Sequence, residues 1–317
     1  RDGSKIEKDA SFIIGNGFNF YLKNYLKSEE FKIDREEKIK GVSYDSKIQW
    51  LKQLENVLEE YCYLMDPIKS ENSNTSGEFF LKDLDDFCNK MTNSNAMDMV
   101  MNQIETMIAN KIEQSMSKEG ESSPPLIARS IFKIKKGEMH SWFYSCLENT
   151  FKDVGIEKIH AYTTNYDDLI DRVLSTRQKS ANVVHLHGYY DEPNSIVCCS
   201  PNKKADKTKR KLKELSVNLE KSKIIVLFGL GLESDPHIRE VLNQMKDRQF
   251  IIIEANPAEY FVKRIEKLEE YQFLKNNYIY FINTAKCILD NSKLREAAKS
   301  PELLIERLQE ILADIYK

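Results

Sequence analysis

The sequence contains no CxxC pair. Its six cysteines (Cys62, Cys88, Cys146, Cys198, Cys199 and Cys287) are scattered, as are its five histidines. A zinc module readable from sequence needs close ligand pairs, so no metal is expected, and buried free thiols in a reducing compartment are preferred. No apolar run reaches the ~20 residues that span a bilayer. The opening RDGSKIEKD has neither a methionine nor the apolar region of a signal peptide. A cytoplasmic location is expected, and the chain reads as a fragment or processed form of a longer one. A formal net charge of -3 leaves no electrostatic footprint for nucleic acid over the whole chain. The one basic run, Lys203 to Lys213, lacks interleaved aromatics and reads as a solvated helix face. There is no internal repeat and no long low-complexity tract.

Hydrophobic residues make up 41% and charged residues 31% of 317 positions, which suits a sizeable folded core. Short apolar runs alternate with helical spacings. Ser11–Gly15, Glu157–Thr164, Val183–His187, Ile224–Gly229, Phe250–Ile253 and Tyr278–Ile282 read as strands, and Ile196–Cys199 as a short edge strand. IIVLFG at Ile224–Gly229 is the strongest, a near-continuous apolar run suited to a buried parallel strand. Helices are expected over Leu126–Lys136, Met139–Asn149, Asp167–Leu174, Leu212–Leu219 and Tyr260–Tyr271, with two further helical patterns at the end. The fold class is therefore α/β: a Rossmann-like parallel sheet with helices on both faces. Residues 28–150 form a large, mainly helical insertion, with amphipathic stretches at Ile48–Met65 and Asn95–Met116. Its acidic group Asp83, Asp85 and Asp86 reads as a solvated face rather than a metal site.

In such a sheet ligands gather at the carboxyl ends of the strands. Four stretches place polar or glycine residues there. GNGFN follows the first strand, where Gly15 and Gly17 allow a tight turn and backbone amides at the next helix start would suit a phosphate. The GxG lacks the third glycine of the common dinucleotide fingerprint. TTNYDDLID and HLHG carry Thr164, Asn165, Asp167 and His187 at the ends of the next two strands. GLGLESDPHI follows the strongest strand, with Ser234 or Asp235 as helix cap. His185 is assigned no catalytic role, and His140, His160 and His237 read as structural or exposed.

The set GNGFN, TTNYDDLID, HLHG, FGLGLESD and EANP resembles the Sir2-like family, closest to the bacterial Sir2-like domains of antiphage defence; GNGF is also similar to the abortive-infection AbiH group. The resemblance spans Gly15 to Asn256. It implies one Sir2-like NAD-binding domain over 1–317, interrupted by the 28–150 insertion and resumed over 151–317. It implies that Gly15, Asn16 and Gly17 form the first nucleotide loop, extended toward nicotinamide by Phe18 and Asn19. Asn165 and Asp167 match the family's Asn-x-Asp at the nicotinamide ribose, and His187 matches the catalytic histidine. Gly229, Leu230 and Gly231 would lie near the adenosine, and Asn256 near the adenine ribose. The four-cysteine module of deacylating members is missing. The implied activity is that of an NAD glycohydrolase, releasing nicotinamide and ADP-ribose as an antiphage effector.

Chemistry supports the same residues. Neutral nicotinamide leaves an anomeric carbon without a metal, and oxygens nearby stabilise the sugar cation. Asn165 would hold a ribose hydroxyl or water through its amide. His187, with a free imidazole pKa of about 6.5, would accept a proton near neutral pH, and Asp167 would orient. A non-catalytic NAD or ADP-ribose sensor and, further off, an NAD-dependent deacylase are the alternatives; a nicotinamide hydride enzyme is generic to the fold class. A homo-oligomer and a phage-derived or host-encoded activator are expected partners.

Overall fold

The computed structural model describes residues 8–26, 105–106, 108–110, 112–114, 131–132, 141–174, 183–197, 201–233, 235–286, 288–290 and 293–317. Six parallel strands form the central sheet: β1 (Asp9–Ile14), β2 (Lys158–Thr163), β3 (Val184–His185), β4 (Ser222–Phe228), β5 (Gln249–Glu254) and β6 (Tyr278–Asn283). Their order is β3-β2-β1-β4-β5-β6, with every neighbouring pair parallel. The chain therefore works outward from β1 in one direction and, from β4, in the other. The junction of β1 and β4 is the topological switch point of a Rossmann-like sheet, where ligands of such folds bind.

Strand alternation sorts the core into two layers. Phe12, Ile14, Val226, Phe228, Ile251 and Ile253 face one side. There they meet α1 (Gly17–Leu26), α2 (Trp142–Lys152), α3 (Leu169–Leu174) and α8 (Pro301–Ile315). Ile13, Ile225, Leu227, Phe250 and Ile252 face the other. That side is covered by α4 (Pro201–Lys221), α5 (Pro236–Asn243), α6 (Pro257–Ile265) and α7 (Phe273–Asn276). Burying each such side chain contributes roughly 1.5–3 kcal/mol. Helix starts are set by side chains. Ser141 Oγ accepts from Tyr144 N (2.9 Å) ahead of α2, and Ser300 Oγ accepts from Leu303 N (3.2 Å) ahead of α8. No described helix is long and apolar enough to cross a membrane.

Most of the 28–150 interval, including Ile48–Met65, Asp83, Asp85 and Asp86, lies outside the described residues, as do His140, Ser234 and every cysteine but Cys146. Its described parts pack on the sheet. Ile108, Ile112, Ile131 and Phe132 join the first core layer, and Phe132 stacks on Phe18 at 5.6 Å. The helix α2 falls largely in the same interval, yet it contacts α3 and α8 and leads into β2. It is part of the α/β core rather than of an appended unit.

Three elements differ from the sequence expectation. The strand expected over Val183–His187 holds two ladder residues; Leu186 and His187 turn away before Gly188, whose φ is +94°. Residues Ile196 and Val197 form no strand, and Val197 N instead donates to His187 O at 2.9 Å. One of the two terminal helical patterns is an antiparallel hairpin, β7 (Ile288–Asp290) with β8 (Lys293–Arg295). The basic run lies on α4, as expected, within one helix extending from Pro201 to Lys221.

Candidate functional site at the carboxyl ends of the strands

Each loop at this edge is tied to its neighbour by one backbone hydrogen bond beyond the strand. Gly15 N donates to Phe228 O (2.9 Å), Thr164 N to Ile14 O (3.0 Å), Leu186 N to Thr163 O (2.7 Å) and Gly229 N to Ile253 O (3.0 Å). At the switch point the two glycine turns touch directly. A Cβ on Gly17 would stand 2.4 Å from Gly229 Cα, and Gly229 has φ +57°. Gly17 N donates to Gly229 O (2.9 Å), Phe18 N to Gly15 O (3.0 Å) and Asn19 N to Asn16 O (2.9 Å). The amides expected to face a phosphate at the start of α1 are thus engaged within the protein.

The loops after β1 and β2 share a polar cluster. Asn19 is fully buried; its Nδ2 donates to Asn16 Oδ1 (3.2 Å) and Asp167 Oδ2 (3.3 Å). Asp167, also fully buried, accepts from Leu169 N through Oδ1 at 2.8 Å, so it starts α3. Thr163 Oγ1 donates to Ile14 O (2.9 Å) and accepts from Asn165 N (3.0 Å). Asn165 is therefore fixed through its backbone. Its Nδ2, by contrast, is buried with no hydrogen-bond partner among the described residues. A buried amide donor without a partner costs on the order of 1–3 kcal/mol, so something other than folding accounts for it.

His185 braces this loop from behind. Nδ1 meets Asn165 O and Nε2 meets Asp171 Oδ2, each at 3.0 Å. Both partners favour the protonated, charged ring. Burial opposes that charge, but the Asp171 carboxylate outweighs it and the pKa is raised. Lys211 Nζ donates to His185 O at 2.6 Å, and burial lowers its pKa.

His187 follows the edge strand β3, with β2 and β1 between it and β4, yet it meets the loop that leaves β4. Its Nε2 lies 3.2 Å from His237 Nε2 and 3.3 Å from Asp235 Oδ1, and all three residues are buried. The β4–α5 loop therefore passes across the ends of β1 and β2. It is pinned midway, where Arg264 Nη2 meets Glu233 Oε1 at 2.8 Å. Among the described residues, His187, Asp235 and His237 are the group whose ligand atoms, all within 4.8 Å of one another, could hold a metal ion.

The structure thus gathers Asn16, Gly17, Asn19, Thr164, Asn165, Asp167, His187 and Gly229 along one edge. Other expected site residues are placed differently. Phe18 is a core residue, its ring 5.5 Å from that of Phe228 in an edge-on contact, so it does not extend the loop. Leu230 is buried in the second core layer, and Gly231 is exposed. Asn256 precedes α6, with its Nδ2 donating to Glu259 Oε2 at 3.0 Å. Asp235 occupies the N-cap position of α5 but makes no side-chain capping bond. His237 is neither exposed nor remote: it faces His187 across 50 residues of chain. The only local signal for this pair is DPHI following the glycine turn of a buried strand, a pattern that helix capping explains equally well.

No protein-family model matches the chain, and no curated protein matches it.

Proposed function

We propose that this chain is a Sir2-like NAD glycohydrolase, cleaving the bond between nicotinamide and ribose at the edge formed by β1, β2 and β3. The observation that carries the proposal is the Asn165 Nδ2 donor, buried and without a hydrogen-bond partner among the described residues. A ribose hydroxyl or the attacking water supplies the acceptor it lacks. Order of the loops supports the same reading, because β2 lies between β1 and β3.

In the reaction the C1′–N1 bond breaks with its electron pair passing to the cationic nicotinamide ring, which leaves neutral. Positive charge develops on the ribose. Asp167 lies on the next turn and lends negative potential to that cation. Water adds to C1′ and its proton passes to His187. The Asp235 carboxylate, 3.3 Å away, favours the protonated imidazole that results. The motif resemblance alone supplies the antiphage setting, the homo-oligomer and the activator, which belong to the same proposal.

The test is chromatography of intact NAD and nicotinamide over time, with wild type beside His187→Ala and folding checked for both. Wild type consumes NAD, and the variant is slower by about 10²–10⁴, the range for losing a general base. NAD left intact by folded wild type, or consumed equally by both proteins, contradicts the proposal.

A further inference from the structure

We propose that His187, Asp235 and His237 form a binding site for a late divalent transition cation of the zinc class, and that its occupancy opposes the reaction above. The site rests on geometry alone; the inhibition rests on the proposed reaction. The ligand atoms come from two elements that the fold brings together, the turn after β3 and the start of α5. His187 Nε2 lies 3.2 Å from His237 Nε2 and 3.3 Å from Asp235 Oδ1. Two ligands at zinc distances of about 2.0–2.1 Å, arranged tetrahedrally, stand roughly 3.3–3.4 Å apart. Those spacings suit ligands converging on one ion.

They suit direct pairing less well. A charge-assisted N–H···O bond runs about 2.7–2.9 Å, shorter than the 3.3 Å between His187 and Asp235. The three residues, each at most 6% exposed, lie together out of solvent. A cation held by all three would bring two positive charges to one carboxylate and use both imidazole lone pairs. Imidazole selects zinc, copper, nickel or iron over magnesium and calcium, which take oxygen ligands. Three protein ligands leave a coordination position for water. The core fixes the frame, since Leu186, Ile238 and Leu242 flank the ligands and are fully buried.

The same geometry sets the consequence. His187 Nε2 faces the cluster, and a cation on it removes that nitrogen as a proton acceptor. Zinc is therefore expected to slow nicotinamide release from this protein.

The experiment uses the full chain, stripped with a chelator and titrated with Zn²⁺ against a chromophoric competitor; Co²⁺ absorption reports ligand geometry. One equivalent binds per chain, with a tetrahedral Co²⁺ spectrum. Asp235→Asn and His237→Gln, near in shape to the originals and checked by circular dichroism, weaken binding by at least about tenfold. Binding far below one equivalent, or unchanged affinity in folded His237→Gln, overturns the site. Nicotinamide release is measured on the same stripped and loaded samples. Slower release when loaded supports inhibition, and equal release overturns it. One bound zinc without any NAD turnover supports the site while contradicting the glycohydrolase reading; turnover without zinc binding does the reverse.

Discussion

Gly17 and Gly229 meet backbone to backbone at the switch point, so neither turn has room for a side chain. A Cβ added to Gly17 would lie 2.4 Å from Gly229 Cα and 2.9 Å from its carbonyl oxygen. Neither atom belongs to a flexible side chain, so the strands themselves would have to part. Gly17→Ala and Gly229→Ala are each expected to lower unfolding free energy by about 1–3 kcal/mol. Gly231→Ala, which meets nothing within 4 Å, is expected to change it little. Urea titrations of the three variants check this.

Asp167 both accepts from Asn19 and starts α3 through the Leu169 amide. Asp167→Ala leaves those two donors without it, at about 1–3 kcal/mol each if they stay buried. Asp167→Asn keeps an oxygen for Leu169 and is expected to retain most of the stability. In the proposed reaction it removes the negative charge near the ribose, so its loss is expected to fall on kcat for NAD rather than on melting temperature. Thermal melts and steady-state kinetics on the two variants separate these effects.

Buried tyrosines set the alkaline limit. Burial pushes the Tyr162 hydroxyl up to about 12, despite the donor Asn218 Nδ2 at 2.6 Å. Burial also raises Tyr21 and Tyr260, which lie in the two core layers. Unfolded tyrosine ionises near pH 10. Below that value both states hold the proton and the contribution to stability is complete. Above it the unfolded chain loses protons that the native state retains, so stability falls as pH rises from about 10 toward 12. Tyrosinate absorbance from these residues should appear together with the loss of helical circular dichroism. Full tyrosinate absorbance at retained native signal would contradict this.

Much of the sheet was legible because buried parallel strands are continuous apolar runs. Ile224–Phe228 and Phe250–Ile253 are unmistakable in that sense, and glycine turns mark where the first and fourth strands end. Where local pattern and tertiary context diverge, the reading failed. β3 is cut to two residues because Gly188 turns the chain, and the Val197 amide takes the His187 carbonyl. Phe18 sits in a loop motif, yet its helical position aims the ring at Phe228. Asn165, Asp167 and His187 stood out as polar residues at strand ends. Asp235 and His237 did not, since their meaning depends on a loop crossing two strands to reach His187, a contact no local pattern encodes. The hairpin β7–β8 is too short for periodicity to separate it from a helix.

Asn165 uses its main chain to hold the loop, through Thr163 and His185, while its Nδ2 has no partner among the described residues. Its side-chain donor should therefore serve the ligand rather than the fold. The measurement is nicotinamide release with protein in molar excess over NAD, for wild type and Asn165→Ala, beside a thermal melt of each. Complete release by wild type is expected, with release slower by about 10²-fold or more in the variant, as for a lost transition-state donor. The variant's melting temperature should be equal or higher. Equal release rates, or a variant that loses activity only because it melts lower, would contradict the assignment.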